Sequence, residues 1–181
     1  MKPISLLFCI ASLIFLSIPV SSGADRGGKS GTPLDKLRVR RQIAGWQEDK
    51  DGFARFNHEK LFDLINGGAP EYIDRGMLGG FVQRLSGPGN ATVELFTEDF
   101  GTRENAAEMV KVKTEDGDSI ITLPGFDAET VRIVPAIGAC VAYGAIDRFY
   151  FEVTLSGAGS GGKEALAELG KFFLFYRGIL K

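Results

Sequence analysis

The chain has one histidine, His58, and two cysteines, Cys9 and Cys140. A Ser-His-Asp or Cys-His arrangement would have to use His58, and neither a serine elbow motif nor an exposed cysteine motif accompanies it. It reads as a polar residue at a helix start. Zinc is disfavoured by the same scarcity, because nitrogen and sulfur ligands are too few. Calcium fails on spacing: Glu115-Asp116-Gly117-Asp118 lacks the ordered ligand positions and closing glutamate of an EF-hand loop, and reads as a solvated turn. The glycine-rich run Ser156–Gly162 is followed by Lys163 and Glu164. A phosphate-binding loop needs Ser or Thr after the lysine, so this run reads as a loop before a helix. No catalytic residue, metal ligand or cofactor is assigned.

Positive charge is also scarce outside one stretch. With 21 basic and 23 acidic residues the formal net charge is −2. Asp25–Arg41 carries six basic and two acidic residues, or +4, which leaves −7 on Gln42–Lys181. An acidic domain argues against nucleic acid as a partner. The basic stretch contains Gly27, Gly28, Gly31 and Pro33 and reads as a soluble, flexible linker over residues 25–41. Its run Arg38-Val39-Arg40-Arg41 offers peripheral contact with anionic lipid head groups, or a site for a basic-specific protease.

Long apolar runs are absent except at the front. Lys2 precedes the mostly apolar Ile4–Val20, and Ser22-Gly23-Ala24 supplies the small residues that a signal peptidase reads. Residues 1–24 therefore read as a signal peptide, with an uncleaved membrane anchor as the rival. Pro19 and the small residues favour cleavage, and bulky Leu7 and Phe8 before Cys9 exclude a lipoprotein site. The exported form has Cys140 alone, so no intramolecular disulfide is possible. Flanked by Ile137, Ala139, Val141 and Ala142, Cys140 reads as a small buried hydrophobe. The expected location is periplasmic or extracellular.

The densest local pattern runs from Lys60 to Gly76. Leu61, Phe62, Leu64 and Ile65 share one side of a short amphipathic helix, which Asn66-Gly67-Gly68 ends. Pro70 and Glu71 suit the first turn of a second helix, and Gly76 closes it. Before this corner, Ile43, Trp46, Phe53 and Phe56 read as an irregular or short-strand lead-in, with Trp46 as a core anchor. After it, Phe81, Val82 and Leu85 pair across the turn Gly87–Asn90 with Val93, Leu95 and Phe96. Thr102 caps a helix reaching about Lys113. Val131–Val134, Ile137–Ile146 and Phe149–Leu155 are strands, and Lys163–Arg177 is a helix with a broad apolar face that covers the sheet.

The corner Ile65–Tyr72, the strand Val93-Glu94-Leu95-Phe96, Glu115-Asp116-Gly117 and the strand Arg148–Val153 together resemble an uncharacterised domain-of-unknown-function family of exported bacterial proteins. Its hallmark is an Ile-Asn-Gly-Gly-Ala corner followed two residues later by Tyr, and the resemblance spans Trp46 to the C-terminus. One departure is Ala106-Ala107-Glu108-Met109, where the family tends to carry an alanine, an aromatic and a glycine. The resemblance implies bacterial export and a shared fold, and brings no catalytic residues.

The resulting expectation is one α+β domain, residues 42–181: a mainly antiparallel sheet of about five strands packed against helices, with the helix-turn-helix corner at its N-terminal side. The expected function is a non-enzymatic cell-envelope module binding an extracytoplasmic protein or small ligand. Its candidate ligand site is the corner, with Asn66, Gly67, Gly68, Glu71, Tyr72 and Arg75. The alternatives are a glycan hydrolase using Glu71 and Glu94 as acid and base, and a structural protein that self-associates.

Overall fold

The computed structural model describes residues 33–65, 67–115, 120–127, 130–157, 159 and 161–181. The expected signal peptide, the start of the linker, Asn66 and most of the acidic turn lie outside the described residues. The order is α1 (Pro33–Lys36), β1 (Gln47–Phe56), α2 (His58–Ile65), α3 (Ala69–Ile73), β2 (Gly79–Ser86), β3 (Thr92–Asp99), α4 (Arg103–Thr114), β4 (Ile121–Thr122), β5 (Val131–Ala136), β6 (Ala139–Ile146), β7 (Phe149–Ser156) and α5 (Gly162–Ile179). The strands form one antiparallel sheet in the order β1-β2-β3-β7-β6-β5-β4.

The α+β class and antiparallel sheet agree with expectation, but the described sheet has seven strands rather than about five. The five interior and near-interior strands are those read from the sequence; the additions are its two edges, β4 and β1, the latter ending in the Phe53 and Phe56 stretch expected as an irregular or short-strand lead-in. Neither carries a period-two signal. The first half of β1 is almost wholly polar, Asp51 sits at φ 62°, and the register against β2 shifts between Glu48 and Phe53. β4 has two residues, both exposed. A bulge, charge and short length all blunt a sheet edge against pairing with another chain, and these features hide strands from pattern reading.

The linker assignment is corrected at its C-terminal end. Pro33–Arg41 belongs to the fold, with Leu37 and Val39 fully buried in the main core. Buried Gln83 on β2 clamps Val39 at both backbone groups: its Oε1 accepts from the Val39 amide at 3.0 Å, and its Nε2 donates to the Val39 carbonyl. Arg38 lies 3.7 Å above the Phe53 ring and forks onto the Glu48 carboxylate. Average composition described this stretch as basic and solvated, whereas the alternation of Leu37 and Val39 with arginines buries one side of it.

Odd and even strand positions face two different covers. On one face α5 lays Leu169, Phe172, Phe173 and Tyr176 against Phe81, Leu95, Phe151 and Val153. Trp46 meets Phe172 edge-on at 5.4 Å and donates Nε1–H to Glu168 Oε2 at 3.0 Å, which makes it the core anchor expected. Cys140 is buried here too, and burial pushes its thiol pKa up, as suits an unreactive side chain. On the other face α2, α3 and α4 cover a second cluster containing Phe56, Leu61, Tyr72, Phe100, Met109 and Tyr150. Thr102 caps α4 as expected, accepting from the Asn105 amide at 3.2 Å.

Candidate functional site

The corner forms as α2 and α3, and its polar groups are largely engaged in shaping it. Gly67 is exposed at φ 52°, and the Gly68 amide donates to the Ile65 carbonyl at 3.3 Å, ending α2. Arg75 Nη1 donates to the Glu71 carbonyl at 2.8 Å. The Glu71 carboxylate pairs with Lys113 of α4 at 3.0 Å, and the same ammonium lies 4.6 Å from the centre of the Tyr72 ring. Tyr72 itself is buried. Lys113 therefore pins α3 to α4. His58 serves the same region from α2, its Nε2 contacting the Met77 carbonyl.

The second carboxylate of the proposed hydrolase, Glu94, pairs with Arg84 on the neighbouring strand at 3.2 Å. Glu71 and Glu94 are thus each engaged by a separate cation. The Arg84–Glu94 pair is exposed and the Lys113–Glu71 pair partly so, and both hold orientation more than stability.

Beneath the corner lies a group of acids and tyrosines that the sequence reading passed over. Register places Phe56, Gly80, Glu98, Tyr150 and Ala145 in one row across β1, β2, β3, β7 and β6. The adjacent row carries Phe96, Glu152 and Tyr143, so Glu98 and Glu152 are diagonal neighbours. Glu98 has no exposed surface, and neither carboxylate oxygen meets a hydrogen-bond partner among the described residues. Glu152 keeps partial exposure. The hydroxyls of Tyr150 and Tyr72 favour its ionised form, although the Tyr150 hydroxyl has no hydrogen-bond partner among the described residues.

Burial drives the Glu98 carboxyl well above its ordinary pKa, and the charge of Glu152 adds to the rise while Lys113 opposes it. Burial also raises Glu152, partly offset by Lys113 and the two tyrosines. The physical cause is that an unpaired carboxylate loses its water and gains nothing equivalent, so it keeps a proton instead. The same burial raises Tyr72, Tyr143 and Tyr150. Burial thus favours the protonated form of Glu98, and the side chain has no exposed atom in this conformation. Its signal was present in the sequence. Val93, Leu95 and Phe96, like Phe149, Tyr150 and Phe151, put large apolar groups in both phases, which marks a strand covered on both faces.

Two open clefts lie elsewhere. One, of about 720 Å³, is lined by Arg38, Arg40, Arg41, Gln42, Gln47 and Glu48. Its Glu48 carboxyl is held below its ordinary pKa, chiefly by the hydrogen bond from Arg38, with Arg40 contributing. Arg40 and Arg41 are exposed and enter no ion pair among the described residues. The other, of about 490 Å³, includes Leu34, Phe56, Lys60, Leu78, Asp99 and Arg148; there Arg148 is paired with Asp99 at 2.7 Å. Among the described residues no cluster of His, Cys, Asp and Glu has the form of a metal site, and no helix is long and apolar enough to cross a membrane.

No protein-family model matches the chain, and no curated protein matches it. Among solved structures, the chain is similar to the extracellular domain of PknH from Mycobacterium tuberculosis, with a TM-score of 0.49 and 14% identity, covering 80% of this chain and 95% of that one. A likeness of that size carries nothing about what this chain does.

Proposed function

We propose that this chain is an exported, non-enzymatic module of the cell envelope that binds a partner outside the cytoplasm, and that it belongs with the exported bacterial proteins sharing the Ile65–Tyr72 corner. Export rests on the signal-like features of residues 1–24. The observation that carries the binding reading is the cleft at the head of β1, where Arg40 and Arg41 stand exposed and enter no ion pair among the described residues, while the nominated catalytic carboxylates are each engaged by a cation. Exposed guanidinium groups on a concave surface are suited to recognising anions.

The competing hydrolase reading is tested with Glu71→Gln. The substitution removes a partly exposed ion pair and a favourable charge in the first turn of α3, so it should lower stability by about 0.5 kcal/mol. Neither parent nor variant should release reducing ends from bacterial cell-wall glycan. Release by the parent that disappears in the variant would replace the binding reading with the enzymatic one.

A further inference from the structure

We propose that the turn Arg40–Gln42 is a docking site for the phosphate-bearing head groups of an anionic membrane surface, a refinement that rests on the envelope-module reading. The turn is held from both sides. Val39 precedes it in the grip of Gln83, and Ile43 and Trp46 follow it as buried residues, with the Trp46 amide donating to the Ile43 carbonyl at 3.1 Å. Gln42 Oε1 accepts from the Arg40 amide at 2.6 Å and from the Arg41 amide at 3.0 Å. That fixes the backbone and leaves the Gln42 amide nitrogen as a further donor. Two guanidinium groups and this amide therefore extend from a braced turn, so little ordering entropy is lost when an anion is bound.

The charges of the cleft do not cancel. Arg38 is neutralised by Glu48 and stacked on Phe53, where it supports the floor, while Arg40 and Arg41 remain exposed. Guanidinium forks match phosphate oxygens in geometry. A membrane surface suits this site better than a small soluble anion for two reasons. The cleft is open, with Gln42 and Gln47 both exposed in its lining. Charge is also polarised along the chain: exposed Lys36 adds to the arginines, whereas Gln42–Lys181 carries −7. A body of that charge approaches an anionic surface only with its basic end leading. Near such a surface each basic residue strengthens binding roughly five-fold.

The test is co-sedimentation of Asp25–Lys181, which contains every described element, with phosphatidylglycerol-containing vesicles and with pure phosphatidylcholine vesicles, alongside titration with inorganic phosphate. Binding should require phosphatidylglycerol, weaken as salt rises, and fall roughly 30-fold in Arg40→Ala/Arg41→Ala, with Arg41→Gln alone giving a smaller loss. Trp46 fluorescence should be unchanged in both variants. The proposal is overturned by equal binding to both vesicle types, by no vesicle binding, by binding insensitive to the double substitution, or by arginine-dependent binding of free phosphate without vesicles. Loss of vesicle binding would leave the envelope-module reading standing, because a protein partner or small ligand is detected separately by native mass.

Discussion

Replacing Gly144 with valine should cost roughly 3 kcal/mol of folding stability, near the upper end for overpacking a close-packed core. Gly144 lies in β6 on the face covered by α5, in a column of small residues with Cys140 and Ala142. A Cβ built at this position falls 2.3 Å from Cε1 of Phe173 and 3.0 Å from its Cζ, closer than side chains tolerate. Phe173 has little room to withdraw, since its ring is fenced by Phe126 at 5.9 Å, Phe151 at 6.3 Å and Tyr176 at 6.4 Å. The whole helix would have to lift from the sheet, giving up contacts along its length. Urea unfolding should show a lower midpoint with the slope little changed. A midpoint equal to that of the parent would mean that Phe173 does not lie across Gly144, and the packing of α5 would need redrawing.

The second large effect is expected at Glu98. Glu98→Gln should flatten the pH dependence of stability and make the protein more stable than the parent above neutral pH. The folded carboxyl holds its proton at pH values where the unfolded chain has already released it, because burial lifts it well above the ordinary 4.5. The folded state then binds more protons than the unfolded one, so stability falls as pH rises from about the ordinary value toward the raised one. Each retained proton gives a slope of about 1.4 kcal/mol per pH unit in that window. Glutamine carries no such proton and loses the slope.

Glu152 continues to contribute its own dependence, since burial raises it as well. The surrounding charges should modulate this slope in a known sense. Lys113 from α4 opposes the rise, Glu94 adds to it at Glu152, and Tyr72 and Tyr150 stay neutral over the same range because burial raises them too. Thermal melts of parent and variant between acidic and mildly alkaline buffer read the effect directly. Parallel curves would show that Glu98 is ionised in the folded protein and paired with a cation.

These two sites show which parts of the molecule the sequence made legible. β2, β3 and β7 were readable because Phe81, Leu85, Val93, Leu95, Phe151 and Val153 fall at alternate positions between clear turns, and β5 and β6 because their apolar-rich runs end at Pro135 and Asp147. The corner was readable because Gly67 and Pro70 have narrow local uses, and α4 because Thr102 is a strong cap. The first half of the edge strand β1 was not, since Glu48, Asp49, Lys50 and Asp51 occupy the positions where alternation would appear, and only the Phe53 and Phe56 stretch read as a lead-in. Pro33–Arg41 was hidden by its arginines, although Leu37 and Val39 alternate with them.

The acid and tyrosine group failed for a different reason. Alternation separates two faces but does not say that the second face is solvent, and Glu98 and Glu152 lie on a face that α3 and α4 cover. Glu71 and Tyr72 were picked out at the edge of this group, while Lys113, which ties them to α4, gave no local signal. Nor did spacing mark Arg40 and Arg41 as a cleft: that required the register of β1 against β2 and the clamp of Gln83 on Val39.

The claim most in need of test is that this chain is an exported binding module and not an enzyme. Native mass spectrometry of the full chain, expressed and exported in a bacterial host, addresses it most directly. The account predicts a mass beginning at Asp25 that carries a non-covalent adduct, either an extracytoplasmic partner or small ligand, or an anionic phospholipid that is lost in Arg40→Ala/Arg41→Ala. A bare monomer from the parent chain, identical in state to the double variant, would contradict it.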